Sequence, residues 1–177
     1  EEEIFWELPP VKPKVIYRDR IIGKQIIAVT GIEKGVGTTH TAILIAHHLA
    51  NKGYRIKLIE CSGNNEFMYI EKAYDGKNVD VYRSDQFEIN GVTYVKNNGE
   101  LDLTAHVTSE HTHIVLDLGC YETTDFIEEF HRADKQIIVG SGSEWKQYTI
   151  KRFIESNRDV DQSRWNFVIP LIEKQTI

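Results

Sequence analysis

The chain contains 177 residues, of which 41% are hydrophobic and 27% are charged, and its formal net charge at pH 7 is −6. This length and composition are typical of one globular domain with a single core. The acidic balance argues against a protein built mainly to bind nucleic-acid backbones, because such proteins usually carry a basic surface. No stretch approaches the roughly 20 apolar residues of a membrane-spanning helix, so we expect a cytoplasmic protein. Cys61 and Cys120 are expected to be free thiols there, although the sequence alone leaves a disulfide open.

Residues 1 to 24 are predicted to form an extended N-terminal arm or linker, because the prolines Pro9, Pro10 and Pro13 disfavour a helix. The hydrophobic pair Phe5 and Trp6 could fasten this arm to the globule or to a partner. The arm could equally connect to a preceding domain. Residues 25 to 177 are predicted to form the globular domain.

The next segment, residues 26 to 41, has the layout of a phosphate-binding loop. Residues 26 to 29 read Ile-Ile-Ala-Val, an apolar run typical of a strand buried in a parallel sheet. Gly31, Gly35 and Gly37 follow, and residues 38 to 52 then show the apolar spacing of a helix. Unpaired backbone N–H groups at a helix start attract anions. The segment is therefore predicted to hold a phosphate group.

This loop lacks the lysine of a standard P-loop. The pattern G-x-x-x-x-G-K-[ST] places a lysine and then a magnesium-binding hydroxyl after the last glycine. The chain has Thr38 and Thr39 at these two positions. A glycine-rich turn between a strand and a helix that binds no ligand is the alternative, and the pattern leaves both interpretations open.

Strands and helices alternate along the rest of the chain, which predicts a mostly parallel sheet with helical crossovers. Residues 79 to 96 interrupt this alternation with short β-like runs at residues 79 to 82, 87 to 89 and 92 to 95. The Asn90-Gly91 pair between the last two runs predicts a small hairpin insertion with a tight turn. The predicted strands lie at residues 54 to 60, 113 to 119, 133 to 140 and 165 to 171, and the predicted helices at residues 100 to 110, 123 to 131 and 143 to 156.

The segment Val29-Thr-Gly-Ile-Glu-Lys-Gly-Val-Gly-Thr-Thr-His40 resembles the deviant Walker A loop of the ParA/MinD ATPases, whose pattern is roughly V-T-S-G-K-G-G-V-G-K-T-T. The alignment needs no gap. The residues that match the pattern include Gly35, Val36, Gly37 and Thr39.

Both lysines of the family loop are absent from their positions. The signature lysine, which in the family reaches the nucleotide of a dimer partner, falls on Glu33, and the ordinary P-loop lysine falls on Thr38. Lys34 lies one position from the signature slot and is the candidate substitute. His40 occupies the second Thr/Ser slot of the loop.

The resemblance extends to about residue 172 and implies a three-layer α/β/α P-loop NTPase-like fold. The strand that ends at Glu60 is similar to the family's second strand, which usually ends in D-x-D. Residues 113 to 119 resemble the Walker B strand, in which Asp117 and Gly119 match the residues that bind magnesium-bound water and sense the terminal phosphate. Pro170 lies where many relatives carry an adenine-contacting asparagine.

The resemblance also implies a set of site residues. ATP with Mg²⁺ is the implied cofactor, bound weakly. Thr39 and Asp117 would hold the Mg²⁺, and Asp117 would be the catalytic residue of any ATPase activity. The residues implied to contact the nucleotide are Lys34, Gly35, Val36, Gly37, Thr38, Thr39, His40, Glu60 and Gly119.

The missing lysines decide the predicted function. A missing transition-state cation in P-loop enzymes typically reduces the rate by roughly 10³ to 10⁵. We therefore expect a degenerate ParA/MinD-like domain that serves as a protein-interaction or positioning module, with weak or no hydrolysis. It is similar in kind to the TadZ/CpaE-type localisation proteins. The alternative is a working ATP-dependent ATPase switch with an unusual loop. A protein partner is implied in both cases, and it could be a second copy of the chain.

Overall fold

The computed structural model describes residues 23–76, 80, 84–107, 110–143 and 146–170. The predicted arm at residues 1 to 24 lies almost entirely outside these ranges. The strands are β1 (Gln25–Gly31), β2 (Ile56–Glu60), β3 (Gln86–Ile89), β4 (Val92–Val95), β5 (His113–Cys120), β6 (Lys135–Val139) and β7 (Trp165–Val168). The helices are α1 (Thr38–Asn51), α2 (Glu66–Asp75), α3 (Leu103–Val107), α4 (Ile127–Arg132) and α5 (Gln147–Ser156).

The strands form one seven-stranded sheet in the order β3-β4-β2-β5-β1-β6-β7. Every neighbouring pair is parallel except β3 and β4, which are antiparallel. The predicted α/β fold with a mostly parallel sheet is therefore confirmed. Parallel strands bring their carboxyl ends to one edge, so the ends of β1, β2 and β5 lie side by side. Ligands of such sheets bind at that edge.

The core is made by the central strands and the first helix. All five residues of β2 are buried, as are the last five of β1 and the first six of β5. Helix α1 packs on this layer through Ala42 and Ala46, which are fully buried. Alanines have small side chains, so the helix can lie close to the sheet. The loop between β1 and α1 is consequently held at both ends by buried elements.

The predicted hairpin is confirmed, and it is part of the main sheet. Asn90 and Gly91 connect β3 to β4 with φ angles of 49° and 78°, the left-handed pair that a two-residue hairpin turn requires. Strand β4 then pairs in parallel with β2, with Ile56 opposite Val92. The hairpin thus extends the sheet by two strands and supplies one of its edges. The β-like run predicted at residues 79 to 82 lies mostly outside the described residues.

Three predicted helices begin later than expected. Helix α3 begins at Leu103, because Asp102 Oδ1 accepts the N–H groups of Thr104 and Ala105 and fixes the helix start there. Helix α4 begins at Ile127, since the chain after Cys120 first forms a tight turn. Helix α5 begins at Gln147, four residues later than predicted.

Helix α2 has no counterpart among the predicted helices. It spans ten residues between β2 and the hairpin, with Phe67 and Glu71 on its buried side. The residue before its first turn, Asn65, has a φ of 56° and makes no capping hydrogen bond with its side chain. Asn65 is a residue type that commonly precedes a helix, but here its side chain does not cap the first turn.

Candidate functional site

The loop between β1 and α1 forms a tight turn over the helix start. Gly35 and Gly37 have φ angles of 80° and 94°, which L side chains rarely adopt. Gly31 is required for a different reason: a Cβ there would lie 2.6 Å from Val36 Cγ2 and would also collide with the hydroxyl of Thr38. The glycines therefore let the loop fold back on the end of β1, with the first backbone N–H groups of α1 at its centre.

A cavity of about 670 Å³ opens in front of this turn. Seven of the residues predicted to contact a nucleotide lie in its wall, namely Lys34, Gly35, Gly37, Thr38, Thr39, His40 and Gly119. The segment after β2 and the turn after β5 form the opposite side, with residues that include Ser62, Asn64, Glu66, Thr123 and Asp125. The cavity thus lies at the carboxyl ends of β1, β2 and β5, where the sheet topology predicts a ligand.

Asp117 lies beneath this cavity and is fully buried. Its Oδ1 accepts the N–H of Gly119 at 3.2 Å, and the hydroxyl of Thr39 lies close enough to lower the pKa of this carboxyl. Burial raises the pKa of Asp117 to about 6, although Thr39 and Gly119 act in the opposite direction. Its second oxygen, Oδ2, has no hydrogen-bond partner in the described part of the chain.

Glu60 lies beside Asp117 on the neighbouring strand. Its Oε1 accepts the backbone N–H of Glu66 at 2.6 Å, which anchors the first turn of α2. Burial raises the pKa of Glu60 to about 7, and the nearby charge of Asp117 adds to this effect. Glu60 is fully buried and is not part of the cavity wall. Its predicted contact with a nucleotide stays a prediction, as does that of the buried Val36.

The position of the signature lysine is occupied by an ion pair. Glu33 Oε1 lies 2.5 Å from the ammonium of Lys146, which precedes α5. The two side chains are 32% and 39% exposed, so solvent screens the pair only partly. Lys146 was not among the predicted site residues, because 113 residues separate the two partners and no motif marks it. The loop is thereby joined to the segment between β6 and α5.

The charges in the cavity wall are unusual for a phosphate site. Three carboxylates, those of Glu33, Glu66 and Asp125, face one lysine, Lys34. Attraction for an anion must therefore come mainly from the backbone N–H groups at the start of α1. These groups and the open turn fit a phosphate group, but the side chains do not supply the charge that a triphosphate needs.

The residues present fit a magnesium ion better. The hydroxyl of Thr39 lies near the carboxylate of Asp117, and the unpartnered oxygen of Asp117 offers a further ligand, directly or through water. These two residues would hold the ion, and it would supply positive charge to a bound phosphate. Within the described ranges, no group of three or more His, Cys, Asp and Glu side chains is placed to hold a metal ion by itself.

The chain beyond β7 returns to the loop. A Cβ added at Gly37 would lie 3.7 Å from Pro170 Cγ, so the proline ring covers one side of the turn. Pro170 has neither a backbone N–H nor a polar side chain, so it offers no hydrogen-bond donor to a base. Cys61 and Cys120, which also lie in the cavity wall, are free thiols as expected. No helix of the described segments is long and apolar enough to cross a bilayer.

Comparisons with known proteins identify the fold. No protein-family model matches the chain, and no curated protein matches it in sequence. It is similar to a ParA family ATPase from Chlorobium tepidum TLS at 13% identity and a TM-score of 0.61, over 83% of this chain and 74% of that one. A cobyrinic acid a,c-diamide synthase from Mycobacterium smegmatis, with bound ATP analogue and magnesium, matches at 13% identity and a TM-score of 0.60, over 86% and 77%. A chain of the MinC:MinD cell division complex from Aquifex aeolicus matches at 17% identity and a TM-score of 0.59, over 82% and 68%.

These similarities establish a ParA/MinD-type P-loop ATPase fold. The identities are too low to transfer an activity, and the matched proteins include a synthase as well as a ParA family ATPase and a cell division complex.

Proposed function

We propose that the chain is a degenerate ParA/MinD-like P-loop domain that serves as a protein-interaction or positioning module, in the manner of the TadZ/CpaE-type proteins, with weak or no nucleotide hydrolysis. The observation that carries the proposal is the ion pair between Glu33 and Lys146. The signature position holds a carboxylate, and the nearest cation neutralises that carboxylate.

The physical argument rests on charge. Phosphoryl transfer in P-loop enzymes depends on cations that stabilise the charge of the transferring phosphate. Thr38 provides none, and Lys146 is engaged by Glu33. The acidic side chains of Glu66 and Asp125 face the same cavity and oppose an incoming anion. Backbone N–H groups can retain a nucleotide weakly, but they do not replace two lysines.

The proposal is tested by calorimetry with ATP and ADP in the presence of Mg²⁺, together with a turnover assay. We expect weak binding or none, and a turnover that is indistinguishable from that of the Asp117→Asn variant. A turnover comparable to that of active ParA/MinD ATPases, and lost in Asp117→Asn, would contradict the proposal.

A second candidate function is a nucleotide-dependent ATPase switch in which Lys34 is the cationic residue. Lys34 is exposed and lies in the cavity wall, so its ammonium is available to a phosphate. Lys34→Ala should then abolish ATP binding, whereas Lys52→Ala, at an exposed lysine after α1, should not. Equal ATP affinities of both variants would exclude Lys34 from this role.

The partner is proposed to be a protein, and a second copy of this chain is the first to test. One protein of similar fold is a MinD in complex with MinC. Sedimentation of the chain with and without Mg²⁺–ATP separates the possibilities. A dimer that requires nucleotide favours the ATPase switch, and an oligomeric state that ignores nucleotide favours the degenerate module.

A further inference from the structure

A second cavity, of about 710 Å³, lies beside the one in front of the phosphate loop. It opens at the carboxyl ends of β2 and β4, between the start of α2 and the loop that follows β4. Three residues, Cys61, Gly63 and Asp125, belong to the walls of both cavities. None of residues 33–40 of the phosphate loop is among the described residues of the second wall. Sites for small organic molecules typically measure about 300–1,000 Å³, so the second cavity has the size of such a site.

The loop after β4 forms one side of the second cavity and is held in place by hydrogen bonds of its side chains. Asn97 donates to the backbone carbonyl of Cys61 at 3.2 Å, which ties the loop to the end of β2. Asn98 donates to the carboxylate of Asp85 at 3.0 Å, which ties it to the residue before β3. Each asparagine oxygen also accepts the backbone N–H two residues further along the loop. A wall fixed in this way loses little freedom when a ligand binds, so the cavity is preorganised.

Apolar groups form much of the remaining wall of the second cavity. Met68 comes from α2, Leu101 from the loop after β4, and Phe126 from the turn before α4, and all three are half-buried. Burial raises the pKa of the Cys61 thiol well above its ordinary value, so this group is uncharged at neutral pH. These side chains offer surface to the apolar part of a ligand.

The charges in the wall of the second cavity leave a negative excess. Lys96 is the one cationic side chain among the described residues of this wall. Its ammonium lies 2.7 Å from the carboxylate of Glu71, and both side chains are buried, so the two charges balance each other inside the protein. The carboxylates of Asp85 and Asp125 are exposed, and neither forms an ion pair within the described ranges. The second cavity therefore attracts a cation and repels an anion.

We propose that the second cavity is a binding site for a small organic cation, a protonated amine that carries an aromatic or aliphatic group. Asp85 and Asp125 attract the ammonium, and Met68, Leu101 and Phe126 contact the apolar group. The bound molecule lies against the wall that the two cavities share. The site uses no residue of the phosphate loop, so it does not depend on whether the chain binds a nucleotide.

An NMR titration distinguishes the two cavities in one sample. Met68 is the single methionine of the sequence, and its ¹³C-labelled methyl group reports the second cavity. The ring of His40 reports the cavity in front of the phosphate loop. Benzylamine is titrated at pH 7, where it is protonated, and benzyl alcohol and benzoate serve as the neutral and anionic molecules of similar shape. Sodium chloride keeps the ionic strength constant.

We expect the Met68 signal to shift and saturate at millimolar benzylamine, with a roughly tenfold higher Kd for benzyl alcohol because two carboxylates favour the charged molecule. Benzoate should not saturate the signal. The variant Asp85→Asn removes one charge and keeps an oxygen that can accept the N–H of Asn98. It should raise the Kd of benzylamine about two- to fivefold, as for the loss of one exposed ion pair, and leave that of benzyl alcohol unchanged. Asp159→Asn, at an exposed carboxylate after α5, should change neither Kd.

Three results would overturn the proposal. The first is a Met68 signal that does not move with benzylamine, including the case in which His40 alone shifts. The second is an equal Kd for benzylamine and benzyl alcohol in the native chain. The third is a benzylamine Kd that is the same in the native and Asp85→Asn proteins. None of these results bears on the calorimetry with ATP, so a failure here leaves the proposed function untouched.

Discussion

The replacement Thr38→Lys returns an ammonium to the first residue of α1, where a standard P-loop has its lysine. Thr38 lies in the wall of the cavity beside the N–H groups of the helix start. The wall currently holds three carboxylates and a single lysine, so the new charge would meet a bound phosphate directly. We expect nucleotide affinity to increase.

The expected size of the gain follows from the contact that forms. A hydrogen bond to a charged group contributes about 1.5–3 kcal/mol, which corresponds to roughly a 10- to 150-fold lower Kd for ATP. Turnover should stay low, because position 33 still holds a glutamate that is paired with Lys146. The Thr38→Lys variant is therefore expected to gain ATP affinity without a comparable gain in turnover.

Calorimetry with Mg²⁺–ATP at fixed ionic strength measures this gain. The matched control is Thr38→Met, which has a similar length without the charge and reports any change due to packing at this buried position. The reasoning is refuted if the Lys and Met variants bind ATP equally, because the missing ammonium would then not be what limits affinity.

Three further predictions concern stability, each measured by denaturant unfolding. Lys96→Met should destabilise the fold by about 3–5 kcal/mol. In the native chain the Lys96 ammonium lies 2.7 Å from the buried carboxylate of Glu71, and the variant leaves that carboxylate without this partner. The double variant Lys96→Met/Glu71→Leu should recover most of the lost stability, and no recovery would contradict the explanation. Burial lowers the pKa of His47 below its ordinary value of 6.5. The neutral His47 side chain therefore contributes its full stabilisation above that pH, and this stabilisation is lost as the pH falls. The variant His47→Gln should show a smaller decrease in unfolding free energy between pH 7 and pH 5, and an unchanged pH dependence would refute this. Gly31→Ala should lower the free energy of unfolding by about 1–3 kcal/mol, because the added Cβ would collide with the side chains of Val36 and Thr38. Gly63→Ala should be nearly neutral, because no atom lies within 4 Å of its new Cβ. Equal losses of stability in the two variants would argue against this steric explanation.

Elements with a strong local signal were predictable from the sequence. The apolar run of β1 and the spacing of α1 located the phosphate loop, and Asn90-Gly91 located the hairpin turn. In each case the residues that cause the structure lie within a few positions of it. The sheet pairing of the hairpin was not predictable, because the pairing of β4 with β2 depends on contacts distant in sequence.

Features held by distant residues could not be read from a local pattern. The first turn of α2 is held by a carboxylate of β2 instead of a local capping side chain, and no local pattern reveals that contact. Lys146 belongs to the candidate site only through its contact with Glu33. The resemblance identified the two lysines that the loop lacks. Only the structure showed that Glu33, which replaces one of these lysines, is paired with Lys146.

The anchoring of α2 has a consequence for how the protein can be observed. The amide hydrogen of Glu66 points at Glu60, and Glu60 stands next to Asp117, so a chain of two contacts links this amide to the base of the cavity. An ionised Glu60 holds that hydrogen more firmly than a protonated one. Deuterium uptake at the backbone amide of Glu66 therefore reports the protonation state of Glu60, a side chain that solvent does not reach. The amide belongs to a helix whose exposed side carries Tyr69 and Tyr74.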